Sequence, residues 1–171
     1  MIETLLHRLT ARLPCRLIDG EHGEPYLERY YLAGIKGWHL YLHRFVASDP
    51  DRGLHDHPWG SAMSLVLSGG YDEIRAAPGD PGRTRVRHVR PWTINRLRGE
   101  DYHRVVLRDD RPAWTLFAHG PRTKGWGFLN NGAYRAMSRD QDDARHPDWW
   151  RDAPSGAVAR AAARLGQGVG R

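Results

Sequence analysis

From Ser61 to Leu129 the chain runs as short apolar or alternating stretches cut by turn formers, a texture that confines it to strands. The stretches are 61–67, 71–77, 84–89, 92–97, 102–108, 113–119 and 124–129. Gly69-Gly70, Pro78-Gly79-Asp80-Pro81-Gly82, Gly99-Glu100-Asp101, Asp109-Asp110-Arg111-Pro112 and Gly120-Pro121-Arg122 separate them. Seven strands so closely spaced, with little helical periodicity, predict an all-β sandwich or barrel. Residues 26–32 and 38–46, aromatic and branched, add two strands joined by a hairpin turn over 34–37. Before them, Ile2, Leu5, Leu6, Leu9 and Leu13 predict an amphipathic helix over 2–13 that stops ahead of Pro14.

The organisation that follows is a helix and turn-rich connection over 1–25, a β unit over 26–129 and a tail over 130–171. In the tail, His146-Pro147-Asp148-Trp149-Trp150 is expected to pack on the β unit, 156–165 to form a short helix, and the end from Gly166 to fray. There is no internal repeat and no linker, so one domain is expected. The formal charge of +6, carried almost wholly by arginine beside the two lysines Lys36 and Lys124, admits anionic partners without naming one. A single cysteine, Cys15, excludes an internal disulfide and reads as an inert small hydrophobe. No apolar run approaches the roughly 20 residues of a membrane span, and the first residues lack the pattern of a secretory leader. A soluble cytoplasmic protein is expected.

The chemistry concentrates at His55-Asp56-His57-Pro58-Trp59, just before a strand. Residues two apart in an extended segment point to one face, so His55 and His57 can aim two imidazoles at one metal ion; alone they read equally well as two solvated loop histidines. Asp56 between them should point away. A third histidine, His103, opens a strand behind the turn at Gly99.

Here the sequence resembles the cupin superfamily. His55, His57 and the stop at Gly69 match its first motif, and Gly99 with His103 its second. The resemblance implies a double-stranded β-helix, or jelly-roll barrel, over 26–129, with one divalent metal ion: Fe(II) first, and Zn, Mn, Ni or Cu as alternatives. Where the first motif usually carries Glu, this chain has Ser61 or Ala62. The implied ligands are therefore His55, His57 and His103 alone, as in the cysteine-dioxygenase-like branch, with Glu73 as a rescue ligand or an outer contact. A narrower resemblance, to small bacterial and phage-associated cupins, lies in His55 to Trp59, Gly69 to Tyr71, Gly120-Pro121-Arg122 and Trp126-Gly127-Phe128; it implies no activity. The resemblance implies a non-haem iron dioxygenase acting on a small polar or anionic molecule with dioxygen, and a homodimer. A non-redox isomerase, lyase or hydrolase and a non-catalytic ligand- or nucleic-acid-binding cupin are the alternatives.

Glu73, His43 and Tyr71 are the candidate acid, base or hydrogen-bonding groups, and Arg44, Arg122 and Lys124 the candidate anchors for an anion. Trp126 and Met63 are candidate walls. Alternation places Trp38, Leu40, Leu42 and Arg44 on one face of their strand and His39, Tyr41, His43 and Phe45 on the other, but both faces are bulky and the pattern leaves the inward one open. Arg83, Arg85 and Arg87, with His88, Arg90, Arg96 and Arg98 nearby, form an arginine strip. It reads as a nucleic-acid contact or, preferably, as a charged edge strand.

Overall fold

A computed structural model describes residues 1–20, 23–137 and 148–168. Helix α1 (Ile2–Thr10) leads into twelve strands: β1 (Cys15–Asp19), β2 (Pro25–Ile35), β3 (Trp38–Phe45), β4 (Leu54–His55), β5 (Ser61–Ser68), β6 (Tyr71–Ala77), β7 (Asp80–Val89), β8 (Ile94–Arg98), β9 (His103–Leu107), β10 (Ala113–His119), β11 (Gly127–Asn130) and β12 (Ala133–Ala136). Helix α2 (Gly156–Gly168) closes the described chain. The strands form two six-stranded antiparallel sheets, β1-β2-β3-β10-β5-β8 and β12-β11-β4-β9-β6-β7. From β3 to β6 and from β7 to β11 successive strands alternate between the sheets, the wiring of a jelly roll.

Several expected boundaries move. The helix stops at Thr10, where Thr10 Oγ1 bonds back to the Leu6 carbonyl and Pro14 forbids helical backbone just ahead. The stretch placed in the N-terminal connection holds β1, which pairs with β2 and so belongs to the first sheet. The first hairpin turns at Lys36-Gly37, both at positive φ, and β2 runs on through the expected turn to Ile35. Only Pro78-Gly79 interrupts β6 and β7, which pair from Asp80 onward. In the tail β12 was not foreseen, whereas α2 overlaps the expected helix. Residues 138–147, with His146 and Pro147 of the tail motif, and 169–171, half of the expected frayed end, lie outside the described residues, while α2 runs on through the other half to Gly168.

Around β2, β3 and β10 the first sheet is covered on both faces. Outside, α1 and α2 cover Tyr30, Leu42 and Trp114, with Leu6 and Ala159 packed against them and Cys15 buried in the same cluster. Trp114 stacks on Tyr30 at 6.0 Å, and Arg160 of α2 reaches through to the Tyr30 hydroxyl at 2.6 Å. Inside, Val66, Tyr71, Val89, Val105, Leu107 and Ala113 close one end of the space between the sheets. A second inner cluster of Tyr41, Trp59, Ala62, Leu97 and Phe117 borders a cavity of about 600 Å³. Burial pushes the Cys15 thiol up to about 12, which leaves it the inert residue expected. No helix among the described residues is long and apolar enough to cross a membrane.

Candidate metal centre

The two-residue strand β4 is held on both sides. His55 lies opposite His103 of β9 and opposite Phe128 of β11. The chain then leaves the sheet, with the Asp56 amide bonded to the Gly127 carbonyl and the His57 amide to the Gly99 carbonyl, both at 3.1 Å. The Asp56 carboxylate turns away from the histidines, accepting the Gly127 amide at 2.6 Å and pairing with the Lys124 ammonium. The backbone that carries both imidazoles is therefore pinned on either side.

The three rings stand at the corners of a triangle, each pair of centroids 5.0 Å apart. One nitrogen from each lies within 4.8 Å of the others, and among the described residues this is the group whose donor atoms converge so. His57 Nε2 and His103 Nε2 are 2.7 Å apart. Two nitrogens bound at right angles to one ion sit about 3 Å apart, so the donor set fits a single divalent metal. Burial, then the neighbouring His103, holds His55 and His57 well below the usual 6.5, so both are neutral with lone pairs to offer. His57 is further fixed by stacking on Trp59 at 4.0 Å.

Glu73 is not part of that donor set. Its carboxylate, with no exposed surface, accepts His103 Nδ1 at 2.8 Å, on the side of the ring away from the other histidines. That bond assigns the proton to Nδ1 and leaves Nε2 as a donor for metal. Glu73 also accepts Asn95 Nδ2 at 2.9 Å and Arg75 Nη2 at 3.0 Å, while Arg75 Nε lies 2.8 Å from Oε2 as an ion pair without hydrogen-bond alignment. Burial alone would raise this carboxyl, but the His103 and Arg75 contacts prevail and lower it to about 2. The rescue-ligand role is thereby corrected: Glu73 is spent on orienting His103. Arg75 and Asn95 went unnoticed in the sequence, although β6 alternation puts Tyr71, Glu73 and Arg75 on one face.

Other anchors are also corrected. Arg44 faces the helices, paired with Glu28 at 3.0 Å and lying over Trp114, so it is outside the cavity. Lys124 is committed to Asp56. Met63 is 47 % exposed on the outer face of β5, whose inner face carries Ala62, Ser64 and Val66. His43, Tyr71, Arg122 and Trp126 do line the cavity. His43 is buried, stacks on Phe117 at 4.7 Å and accepts Arg29 Nε at 3.1 Å. Arg29, which the sequence did not single out, brings a cation into the cavity wall. The strip of Arg83, Arg85 and Arg87 is an exposed edge strand, with Arg87 turned to Asn95 at 2.9 Å.

His119 also lines the cavity, stacked on Trp59 at 4.9 Å, and its Nδ1–H donates to the Gly120 carbonyl. Burial lowers it to about 4, and burial with the Arg29 charge holds His43 well below 6.5. Both are neutral in the folded protein and protonated in the unfolded chain below about 6.5, so their contribution is intact above that value and lost as the pH falls from it, for His119 down to about 4. The melting temperature of the metal-free protein is therefore expected to fall through this window, and His119→Phe to flatten the fall. A curve that His119→Phe leaves unaltered contradicts that assignment.

No family model matches the chain, and no curated protein does. Solved structures do. A cupin-2 domain from Rhodospirillum rubrum superposes with a TM-score of 0.52 at 14% identity, over 88% of this chain and 88% of its own. A sugar phosphate isomerase of the cupin superfamily from Silicibacter pomeroyi gives 0.51 at 16% identity, over 75% of this chain and 88% of its own. This chain has the cupin fold. In the cupin barrel described here, the three histidines come from β4, the loop after it and β9, the positions on which the two sequence motifs fell. The narrower grouping stays a resemblance of sequence alone.

Proposed function

We propose that this protein is a mononuclear metal-dependent enzyme, and within that class a non-haem iron oxygenase of the dioxygenase type acting on a small anionic molecule in the cytoplasm. The observation that carries the metal is the convergence of three imidazoles beside a cavity large enough for a small substrate. Fe(II) bound there would supply dioxygen activation and an electron path, although imidazole serves Zn, Ni and Cu as well. The chain's own residues do the rest. His55, His57 and His103 hold the donors, and Glu73 fixes the third without neutralising the centre. Positive charge from Arg29 and Arg122 along the cavity favours an anionic substrate. Trp126, whose ring is 6.4 Å from that of His55, and the Tyr41–Phe117–Trp59 wall exclude water. His43, occupied at Nε2 by Arg29, carries its proton on Nδ1 and is a hydrogen-bond donor rather than a base.

A non-redox lyase, isomerase or hydrolase using Zn, Mn or Ni is the second reading. It is favoured by His119, whose donation from Nδ1 leaves Nε2 with a lone pair in the cavity wall. Protein loaded anaerobically with Fe(II) should consume oxygen when offered thiols, amino acids or aromatic acids, and His57→Ala should not. Substrate turnover without oxygen, lost in His119→Gln, would instead establish the second reading.

A further inference from the structure

We propose that the inner end of the cavity is a second binding subsite, built from Ser64, Tyr71, Asn95 and Thr115, that takes an uncharged hydroxyl or carbonyl at the far end of the substrate. As a statement about substrate it rests on the metal-site reading above, while the subsite itself does not need the metal.

All four residues line the cavity and all are buried, Thr115 and Asn95 to 1 % exposure. Three come from neighbouring strands of the first sheet. Ser64 lies opposite Asn95 on one side and Phe117 on the other, which makes Thr115 its diagonal neighbour. Tyr71 enters from the second sheet. Its hydroxyl receives Asn95 Nδ2 at 3.5 Å, and burial holds it protonated, pushed up to about 12.

Thr115 Oγ1 is the observation that points to a ligand. It is buried without a hydrogen-bond partner among the described residues, an arrangement proteins rarely keep unless something else meets the group. The chemistry of its surroundings selects the partner. Arg75 and Arg87 are held on Asn95 Oδ1, Arg75 also on Glu73, and the Glu73 carboxylate stands behind Asn95. An anion there would meet a negative charge, whereas a neutral donor or acceptor meets hydroxyls that serve either way. Hydrogen bonds lead from His103 Nδ1 to Glu73 at 2.8 Å, from Glu73 to Asn95 at 2.9 Å and from Asn95 to the Tyr71 hydroxyl at 3.5 Å, so one small metabolite can span the histidines and the subsite.

The test uses the protein as purified, titrated with phenol and with toluene and followed by tryptophan fluorescence. Phenol is expected to bind about tenfold tighter than toluene. Thr115→Val and Tyr71→Phe should each erase that preference while leaving toluene affinity unchanged. Thr115→Val should melt at or above the parent temperature, since it removes a hydroxyl the fold does not bond. Equal binding of the two probes, a preference that survives both variants, or a Thr115→Val protein that melts well below the parent would overturn the subsite. Metal titration of the same samples separates the two readings: phenol preference without metal binding keeps the subsite and removes the metal, and metal binding without preference does the reverse.

Discussion

Glu73→Ala is expected to be the most damaging single substitution near the metal centre, destabilising the metal-free protein by about 3–5 kcal/mol. The side chain is wholly buried and is the acceptor shared by His103, Asn95 and Arg75. Removing it leaves the largely buried Arg75 guanidinium facing His103, with only Asp101 at 3.7 Å as a counter-charge. The same change frees His103 to adopt the other tautomer, so metal affinity should fall about 10–100-fold. Glu73→Gln retains the shape and one acceptor and should lie between Ala and the parent. Because this carboxyl is lowered from 4.5 to about 2, its contribution is complete above 4.5 and disappears as the pH falls towards 2. Urea unfolding gives the stability and metal titration the affinity; a Glu73→Ala protein equal to the parent in both contradicts the role given to Glu73.

Gly99→Ala should disturb the site through the backbone. A Cβ there would lie 2.1 Å from the Trp59 carbonyl oxygen and 3.3 Å from that of His57. Both obstacles are main chain, and Gly99 is bonded through its own backbone to His57 and Gly60, so no side chain can yield. The histidine loop must move, at a cost of about 1–3 kcal/mol or more, and take His57 out of register with His103. Gly125→Ala, where an added Cβ meets nothing within 4 Å, is the matched control and should behave as the parent. Equal melting and metal binding for the Gly99 and Gly125 variants would show that close approach is not why the turn carries glycine.

The histidine cluster was legible because local spacing and strand entry alone bring His55 and His57 together, and Gly99 flags the turn before His103. Asp56 was read correctly as pointing away, since alternation requires it. The inward face of β3 was not legible, for a physical reason: the outer face of that sheet meets α1 and α2, so Tyr30, Leu42 and Trp114 bury it as fully as the cavity side. Alternation carries no signal when both faces are dry, and Arg44 was accordingly admitted to the site beside His43. Lys124 was misread because its partner Asp56 is 68 residues away in sequence. The depth of Glu73 depends on the register that sets Arg75 against His103, which no local pattern encodes. Short, half-charged β1 escaped notice because it is a strand only by virtue of β2 beside it.

Elemental analysis of untagged protein, alongside His57→Ala and His103→Ala, decides whether the three histidines hold a metal. Close to one divalent ion per chain is expected in the parent, lost in both variants while each retains a cooperative unfolding transition. A parent that binds no ion, even after anaerobic reconstitution with Fe(II), Mn(II), Ni(II) and Zn(II), or variants that keep it, would show that His55, His57 and His103 are not a metal site.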